Sequence, residues 1–322
     1  MRRCALLAAF GLVLWTTAAK PQSFPSRPVK MVMTFAAGGP ADMFTRVLAN
    51  EMGKELGQQV FVEAHTGAGG MTGVDFTAKS TPDGYTICFA GAAALSTIPF
   101  MVDKMPYDWR KDLSLLTPAV RVPEAIVISP SLGVDTLPAF VDYAHAHPGK
   151  INFGSAGAGT ITHLGAELLK DEAKINIIHV PYRGVAPAMT DLLGGQIQML
   201  VADVPVLLPQ IKSGAIKALA ITSAMRMSAL PDVPTTAEVG YPRVVSDNWY
   251  SLVAPAGVPA NILDRLRHAA IGALNSDDLK KQYAAFNATP FPATPQQFRD
   301  HILSEQAKWE PIIRKTGVKL DQ

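Results

Sequence analysis

The chain has 322 residues, with 29 lysines and arginines against 27 aspartates and glutamates, and two cysteines. This length is too great for one small core and suits two compact domains. The charge balance is near neutral, and no long basic run is interleaved with aromatic residues, which argues against a nucleic-acid partner.

The first nineteen residues have the order of a secretory signal peptide. Arg2 and Arg3 give a positive start, residues 4–17 are almost wholly apolar, and small residues lead to a cleavage site after Ala19. The apolar run is shorter than the ~20 residues that a transmembrane helix needs, so an uncleaved anchor is the less favoured alternative. Cleavage removes two arginines, and the exported protein then has 27 basic and 27 acidic residues.

After residue 24, short apolar runs alternate with stretches of helical periodicity, which favours α/β architecture with parallel strands and helices on the sheet faces. Strands are predicted at 29–35, 59–63, 85–90, 119–130, 151–153, 175–180, 196–202, 215–222 and 248–254. Helices are predicted at 42–56, 73–80, 137–145, 160–171, 185–193, 205–213, 260–275, 277–286 and 295–315.

The alternation occurs twice and is followed by a helical tail. We expect the runs 120–129 and 249–254 to cross between two domains, so that the tail packs back on the first. The predicted limits are 1–19 for the signal peptide, 24–124 plus 249–322 for a discontinuous domain 1, and 125–248 for domain 2.

Two glycine-rich loops each lead from a predicted strand into a predicted helix. The first is at residues 36–42 and the second at residues 154–160. The first turn of a helix leaves backbone N–H groups unpaired, and its dipole is positive at that end. Such an end attracts an anion. Two loops so far apart in the sequence suggest an anion held between two halves of the protein.

Several polar side chains lie near these loops. The hydroxyls of Ser155, Thr160 and Thr162 could donate hydrogen bonds to a carboxylate, and the alternative for Thr160 is a helix cap. Asp42 is either a cap or part of the site. Asp203 ends a buried strand, where an unpaired charge is costly, so it either pairs with donors or recognises an amine or hydroxyl of a ligand.

Signatures of catalysis and of cofactor binding are absent from the sequence. There is no phosphate-binding loop, no His-Glu-x-x-His and no Cys-x-x-Cys. Ser155 lacks the Gly-x-Ser-x-Gly spacing of a nucleophile elbow, and position 162 breaks a dinucleotide fingerprint. Cys88, in an apolar run, is expected to be a buried hydrophobe. His163 is either a packing residue or part of the site, without partners for a metal. We therefore expect neither an enzyme nor a cofactor or metal.

A set of ordered motifs runs through the chain from residue 24 to residue 318. In this set and order the chain resembles the Bug family, the TctC-type periplasmic receptors of tripartite tricarboxylate transporters. The motifs lie at 24–29, 35–42, 67–70, 82–86, 148–152, 159–164, 180–184, 191–196, 230–235 and 254–257.

The resemblance implies a two-domain type II periplasmic-binding-protein (Venus flytrap) fold, in the periplasm, with a small organic carboxylate held in the interdomain cleft. It also implies delivery to membrane permease subunits, and we expect a monomer. A signalling receptor and a carboxylate-processing enzyme are the alternatives. Carried over by position, the ligand-binding residues are Phe35, Ala37, Gly38, Gly39, Asp42, Ala92, Ser155, Gly159, Thr160, Thr162, His163 and Asp203.

Two departures from the family pattern concern specificity. Members of the family often have Pro-Pro before the two glycines and hydroxyl residues after the third strand. Here Ala36 and Ala37 occupy the first positions, and residues 91–94 are one glycine and three alanines. The resemblance therefore implies a cleft with fewer side-chain donors and more apolar wall. We expect a ligand with one firmly held carboxylate and a less polar body, aromatic or branched.

Overall fold

A computed structural model of the chain describes residues 24–320. The predicted signal peptide at residues 1–19 and the final two residues, 321–322, lie outside that range. Within residues 24–320, no helix is both long and apolar enough to cross a membrane.

Strands and helices alternate along the described chain much as predicted. The strands are β1 Val29–Met33, β2 Val60–Ala64, β3 Thr86–Gly91, β4 Leu113–Ile128, β5 Asn152–Ser155, β6 Ile178–Pro181, β7 Met199–Asp203, β8 Lys217–Ile221, β9 Asp247–Pro255 and β10 Thr289–Pro290. The α-helices are α1 Pro40–Leu56, α2 Met71–Ala78, α3 Ala92–Ser96, α4 Leu137–Ala146, α5 Ile161–Ala173, α6 Val185–Leu193, α7 Val204–Lys212, α8 Ala260–Asn275, α9 Asp277–Ala285 and α10 Pro295–Thr316.

Two of these elements, α3 and β10, were not predicted. An apolar strand leads directly into the alanines of α3, and five residues are too few to show a change of period. Helix α1 begins two residues earlier than predicted, at Pro40. Proline suits the first helical position for two reasons. Its φ is already near the helical value, and an N–H at this position would have no acceptor within the helix, so its absence costs nothing.

The first sheet has the strand order β2-β1-β3-β9-β4. β1 is parallel to β2 and β3, whereas β9 is antiparallel to both β3 and β4. One face packs on α1 and α8, where Phe44, Leu48 and Met52 recur every four residues and are fully buried. The helical tail returns to the other face, where Trp309 of α10 is buried beside α3.

The second sheet has the order β4-β7-β5-β6, with β8 also paired to β4. β5 is parallel to β6 and β7, and β4 is antiparallel to β7 and β8. Helices cover both faces. Phe140 of α4 and Leu169 of α5 are buried on one side, and Leu192 of α6 and Leu207 of α7 on the other. The second βα alternation therefore has its own core.

Strand β4 belongs to both sheets. It pairs with β9 as far as Pro123 and with β7 from Glu124 onwards. It begins at Leu113, six residues before the predicted run, and the pairing there shifts register beside Thr117 and Pro118. Proline has no N–H for the ladder, and a bulge accommodates it. Because these irregularities interrupt the strand pattern, the sequence did not predict the first part of β4.

The chain returns from the second sheet to the first immediately beside this crossing. Ser246 donates its N–H to Thr222 O next to the second sheet, and Asn248 is already paired with Val122 in the first. The predicted second crossing at 249–254 therefore lies a few residues too late, because β9 pairs only within the first sheet. Two adjacent crossings give a hinge between the two halves.

Candidate functional site

A cleft opens between the two sheets, next to the hinge. The space between its atoms, including space open to solvent, is about 490 Å³. Its first wall is made by Phe35, Ala36, Ala37, Gly39, Pro40, Ala41, Ala92 and Ala93. Its second wall is made by Ala156, Thr160, Ile161, Thr162, Gly184, Val185 and Ala186. Its hinge end is made by Asp203, Asn248 and Tyr250.

Three helices of nine residues or more begin at the two walls of this cleft: α1 after Gly39, α5 after Thr160 and α6 after Gly184. The five-residue α3 also begins there, at Ala92, and α7 begins after Asp203 at the hinge end. The first backbone N–H groups of each helix have no acceptor within the helix, and each dipole places partial positive charge there. Asp203 is the one charged side chain among the lining residues. Neither lysine nor arginine is among the lining residues, so the groups available to an anion in this cleft are backbone N–H groups from both walls.

The first loop is held in shape by Asp42. Gly38 has φ +82°, a conformation that favours glycine, and its N–H donates to Asp42 Oδ2 at 3.1 Å. Arg46 Nε donates to the other carboxylate oxygen, Oδ1, at 2.6 Å. Gly38 and Asp42 are not among the lining residues. Their hydrogen bond fixes the turn that places Gly39 at the cleft.

The second loop is held from behind by two histidines. Ser155 Oγ lies 2.7 Å from His179 Nε2, and the N–H of Gly159 donates to His163 Nδ1 at 3.1 Å. The two imidazoles stack with their centroids 3.7 Å apart. Ser155, Gly159 and His163 are therefore under the loop and not among the lining residues. Burial, with the neighbouring His163, lowers the pKa of His179 to about 3, so this ring is neutral.

The two threonines of the second loop do line the cleft, but their hydroxyls bond within the loop. Thr160 Oγ1 donates to Gly157 O at 2.7 Å and accepts the N–H of His163, so Thr160 caps α5. Thr162 Oγ1 accepts the N–H of Ala156 at 3.0 Å. The groups that this loop leaves for a ligand are backbone N–H groups at the start of α5.

The hinge end of the cleft is polar. Asn248 Nδ2 lies 3.0 Å from Asp203 Oδ1, and the Tyr250 hydroxyl donates to Asp203 Oδ2 at 2.9 Å. Burial raises the pKa of the Asp203 carboxyl well above its usual value. Burial also holds the pKa of the Tyr250 phenol well above its usual value, so this hydroxyl stays protonated. These residues lie beside the two crossings, where β9 begins and β7 ends.

A second buried carboxyl faces Asp203. Glu124 of β4 is directly opposite Asp203 of β7 in the strand register, and Ser246 donates to its Oε2 at 2.6 Å. Its other oxygen, Oε1, is buried without a hydrogen-bond partner. Burial and the neighbouring Asp203 raise the pKa of Glu124 well above its usual range. The two acids therefore do not both ionise readily.

Of the twelve candidate ligand-binding residues, the structure brings seven together at the cleft and places five outside its lining. The seven are Phe35, Ala37, Gly39, Ala92, Thr160, Thr162 and Asp203. The five, which support the two loops instead, are Gly38, Asp42, Ser155, Gly159 and His163.

Sequence reasoning missed two parts of the cleft. The first is the start of α6 at Gly184, although a strand, a glycine and a helix follow one another there as in the other two loops. The second is the pair Asn248 and Tyr250. Residues two apart on a strand share one face, so the position of Tyr250 follows once Asn248 is placed. Neither residue carries a signal that links it to Asp203.

The side chains that could suggest catalysis are buried away from the cleft. Ser155 and His179 have the spacing of a nucleophile and a base, but Ser155 is fully buried and its hydroxyl also lies within hydrogen-bond distance of Gly157 O. Burial raises the pKa of the Cys88 thiol to about 12, so it is not a thiolate. Among residues 24–320, no three His, Cys, Asp or Glu side chains are grouped to hold a metal ion.

The sequence profile described as the tripartite tricarboxylate transporter family receptor, TctC, matches residues 44–318. BugT of Bordetella pertussis is 38% identical over 99% of this chain and 100% of BugT. The chain belongs to the TctC receptor family. The cleft described above is thus the cleft of a TctC receptor, and the family predicted from the ordered motifs is confirmed.

Solved structures show the same architecture. Rpa4515 of R. palustris with adipate is 30% identical, covers 92% of this chain and 99% of its own, and superimposes with a TM-score of 0.88. MatC of Rhodopseudomonas palustris with bound malate is 28% identical over 90% of this chain and all of its own, with a TM-score of 0.85. This TctC receptor has the predicted two-domain periplasmic-binding-protein fold and is a solute-binding protein.

Proposed function

We propose that this TctC receptor captures a small organic carboxylate between its domains and delivers it to the permease subunits of a tripartite tricarboxylate-type transporter. It acts in the periplasm as a monomer, after cleavage of residues 1–19. With the crossings placed where the strand pairing changes sheet, domain 1 comprises 24–123 plus 247–322, and domain 2 comprises 124–246. One observation carries the proposal: three helix N-termini from both walls meet at a cleft whose lining holds no basic side chain.

The proposed carboxylate position explains why ligand binding favours closure. The start of α1 comes from the first wall, and the starts of α5 and α6 come from the second. A carboxylate that accepts hydrogen bonds from both walls interacts better with the closed state than with the open one. Its binding therefore shifts the equilibrium towards the closed state by that difference in affinity.

The walls select the rest of the ligand. Ala36, Ala37, Ala92, Ala93 and Ala156 line the cleft with methyl groups. Methyl groups favour an apolar surface and offer no hydrogen bonds, so the ligand body beyond the carboxylate is apolar, aromatic or branched. Adipate and malate, the molecules in the two neighbouring structures, both carry a second carboxylate. This receptor differs from those neighbours in preferring a single one.

Binding without turnover completes the proposal. Catalysis needs an activated nucleophile or an acid–base pair beside the ligand. Ser155 and Cys88 are buried outside the lining, and Asp203 is already held by Asn248 and Tyr250. We expect that a ligand incubated with the purified receptor is recovered chemically unchanged. A product detected by mass spectrometry would support the enzyme alternative instead.

Matched calorimetry tests the carboxylate site. The apolar carboxylates 3-phenylpropionate and 4-methylpentanoate are titrated beside their primary amides, which keep the shape and lose the charge. Hydrogen bonds to charged groups are stronger than those to neutral groups, so we expect each carboxylate to bind at least about 100-fold more tightly than its amide. Equal affinities for the carboxylate and its amide would contradict the proposed anion site in the cleft.

A further inference from the structure

The hydrogen-bond donors at the hinge end of the cleft are all engaged. Asn248 Nδ2 has two hydrogens and three acceptors in reach: Asp203 Oδ1 at 3.0 Å, Asp203 Oδ2 at 3.2 Å and the Tyr250 oxygen at 3.1 Å. The Tyr250 hydroxyl donates its one hydrogen to Asp203. Asn248 Oδ1 accepts the N–H of Trp249. A ligand group that arrives here therefore finds no free donor on the side chains of Asn248 and Tyr250.

Acceptor capacity does remain. An ionised carboxylate offers about four lone-pair positions, and the three contacts to Asp203 leave one on Oδ1. Asp203 stands at the N-cap of α7, yet its side chain makes no capping bond to that helix. Its carboxylate accepts hydrogen bonds from Asn248 and Tyr250 instead, and Asp203 is one of the residues that line the cleft. The group that fits here is a hydrogen-bond donor.

The charges around this end determine which donor fits best. Glu124 faces Asp203 across the strand pair and has a buried oxygen without a partner. Asp247 adds a further negative charge near Glu124, and Lys308 of α10 is the positive group that acts on it. No cation lines the cleft itself. Buried negative charge is costly unless it is paired, and an ammonium group supplies both a hydrogen bond and the opposite charge, whereas a hydroxyl supplies only the hydrogen bond.

We propose that the hinge end of the cleft, formed by Asp203 with Asn248 and Tyr250, is a subsite for a protonated amine, so that the ligand is a zwitterion with an apolar body. This rests on the proposed carboxylate site: the carboxylate lies at the starts of α1, α5 and α6, and the ammonium lies at Asp203. Such a ligand is neutral overall. In the closed cleft its carboxylate meets the partial positive charge of the helix starts, and its ammonium meets the negative charge of Asp203.

Matched ligand pairs test the subsite on the intact receptor. Phenylalanine is titrated beside 3-phenylpropionate, leucine beside 4-methylpentanoate, and 6-aminohexanoate beside hexanoate. We expect, in the pair whose spacing fits, the amine to bind at least about tenfold more tightly than its partner. Equal or weaker binding of the amine in all three pairs overturns the subsite. Failure of both members of every pair to bind contradicts the proposed carboxylate function as well, so the two failures are distinct.

A variant locates the effect. Asp203→Asn removes the charge and keeps an amide of the same shape, so the affinity ratio of amine to partner is expected to fall to near one. Val206→Ala, which changes α7 away from the lining, is the control and keeps the ratio. A ratio that survives in Asp203→Asn overturns the assignment to Asp203. Thermal unfolding checks that both variants fold.

The wild-type receptor gives a second measurement that needs no variant. Asp203 and Glu124 share raised pKa values, and Asp247, Tyr250 and Lys308 are the other titratable groups around them. An ammonium favours the ionised acid, so amine binding releases protons, and its affinity rises from about pH 6 to about pH 8. Calorimetry in buffers of different ionisation enthalpy counts the protons. If the amine and its partner without the amine release the same number of protons and show the same pH profile of affinity, the proposed amine subsite is contradicted.

Discussion

The two loops that begin α1 and α5 share one local pattern, in which a strand turns through glycines into a helix, but they are supported in different ways. The first is held by an ion pair of Asp42 with Arg46, whose side chain is 60% exposed. The second is held by Ser155, His163 and His179, in which Ser155 and His163 are buried. Two loops of similar local shape can therefore depend weakly or strongly on the residues behind them.

The largest effect is expected where a side chain enters the cleft at the first loop. A Cβ on Gly39 would meet only Ala36 O at 3.7 Å, and its φ of −94° suits any residue. In Gly39→Leu the side chain therefore fills the carboxylate position without straining the backbone, and ligand affinity falls at least about 100-fold. Gly39→Ala is the matched control, with a smaller loss. Calorimetry on folded protein measures both; unchanged affinity in Gly39→Leu would show that the carboxylate lies elsewhere.

A smaller but still large effect is expected from the buried support of the second loop. His163→Ala leaves the N–H of Gly159 without its acceptor and opens a cavity beside His179, so stability falls by about 2–4 kcal/mol and ligand affinity falls with it. His163→Asn restores an acceptor at a similar place and recovers part of both losses. Urea unfolding and calorimetry give the two values. If His163→Asn recovers nothing, the hydrogen bond to Gly159 is not what supports the loop.

The histidine pair also predicts a pH dependence of stability. The pKa of His179 in the folded protein is about 3, below its value of about 6.5 in an unfolded chain. The unfolded state therefore takes up a proton first as the pH falls. The contribution of His179 is fully present above pH 6.5 and is lost progressively towards pH 3. Its size is at most about 5 kcal/mol and smaller in practice, because the ring is only partly buried.

This dependence is measured by comparing the wild type with His179→Gln. The difference in unfolding free energy between the two proteins is expected to be constant above pH 6.5 and to shrink below it. Titrating groups that do not interact with His179 contribute equally to both proteins and cancel. A difference that grows as the pH falls would reverse the assigned direction of the pKa shift.

The smallest effect is expected at the exposed support of the first loop. Asp42→Asn keeps an acceptor for the N–H of Gly38 and loses the ion pair to Arg46, so stability changes by less than about 1 kcal/mol. Ligand affinity stays within about threefold. Arg46→Gln removes the same ion pair from the other side and serves as the control. A loss above tenfold in Asp42→Asn alone would show that Asp42 itself contacts the ligand.

The sequence predicted the helices and strands well, but it predicted poorly which residues from different elements contact one another. Every predicted helix and strand overlaps an observed one, because the apolar periods of α1, α5 and β7 are local properties. Thr160 illustrates the limit. Its place at the start of α5 was predictable, but the hydroxyl turns to Gly157 O and Thr162 instead of the cleft. Whether a side chain bonds to its own loop or faces the cleft depends on the three-dimensional geometry of the loop, which the spacing of residues in the sequence does not give.

The sequence by itself determined that two strand–glycine–helix turns exist, that each exposes backbone N–H groups, and that Asp203 ends a buried strand. Only the tertiary structure decided that α6 supplies a third helix start, that His163 stacks on His179, and that Glu124 faces Asp203 beside Asn248. The physical reason is that periodicity fixes which face of an element is buried. Strand order, register and sheet twist decide which distant residues meet there.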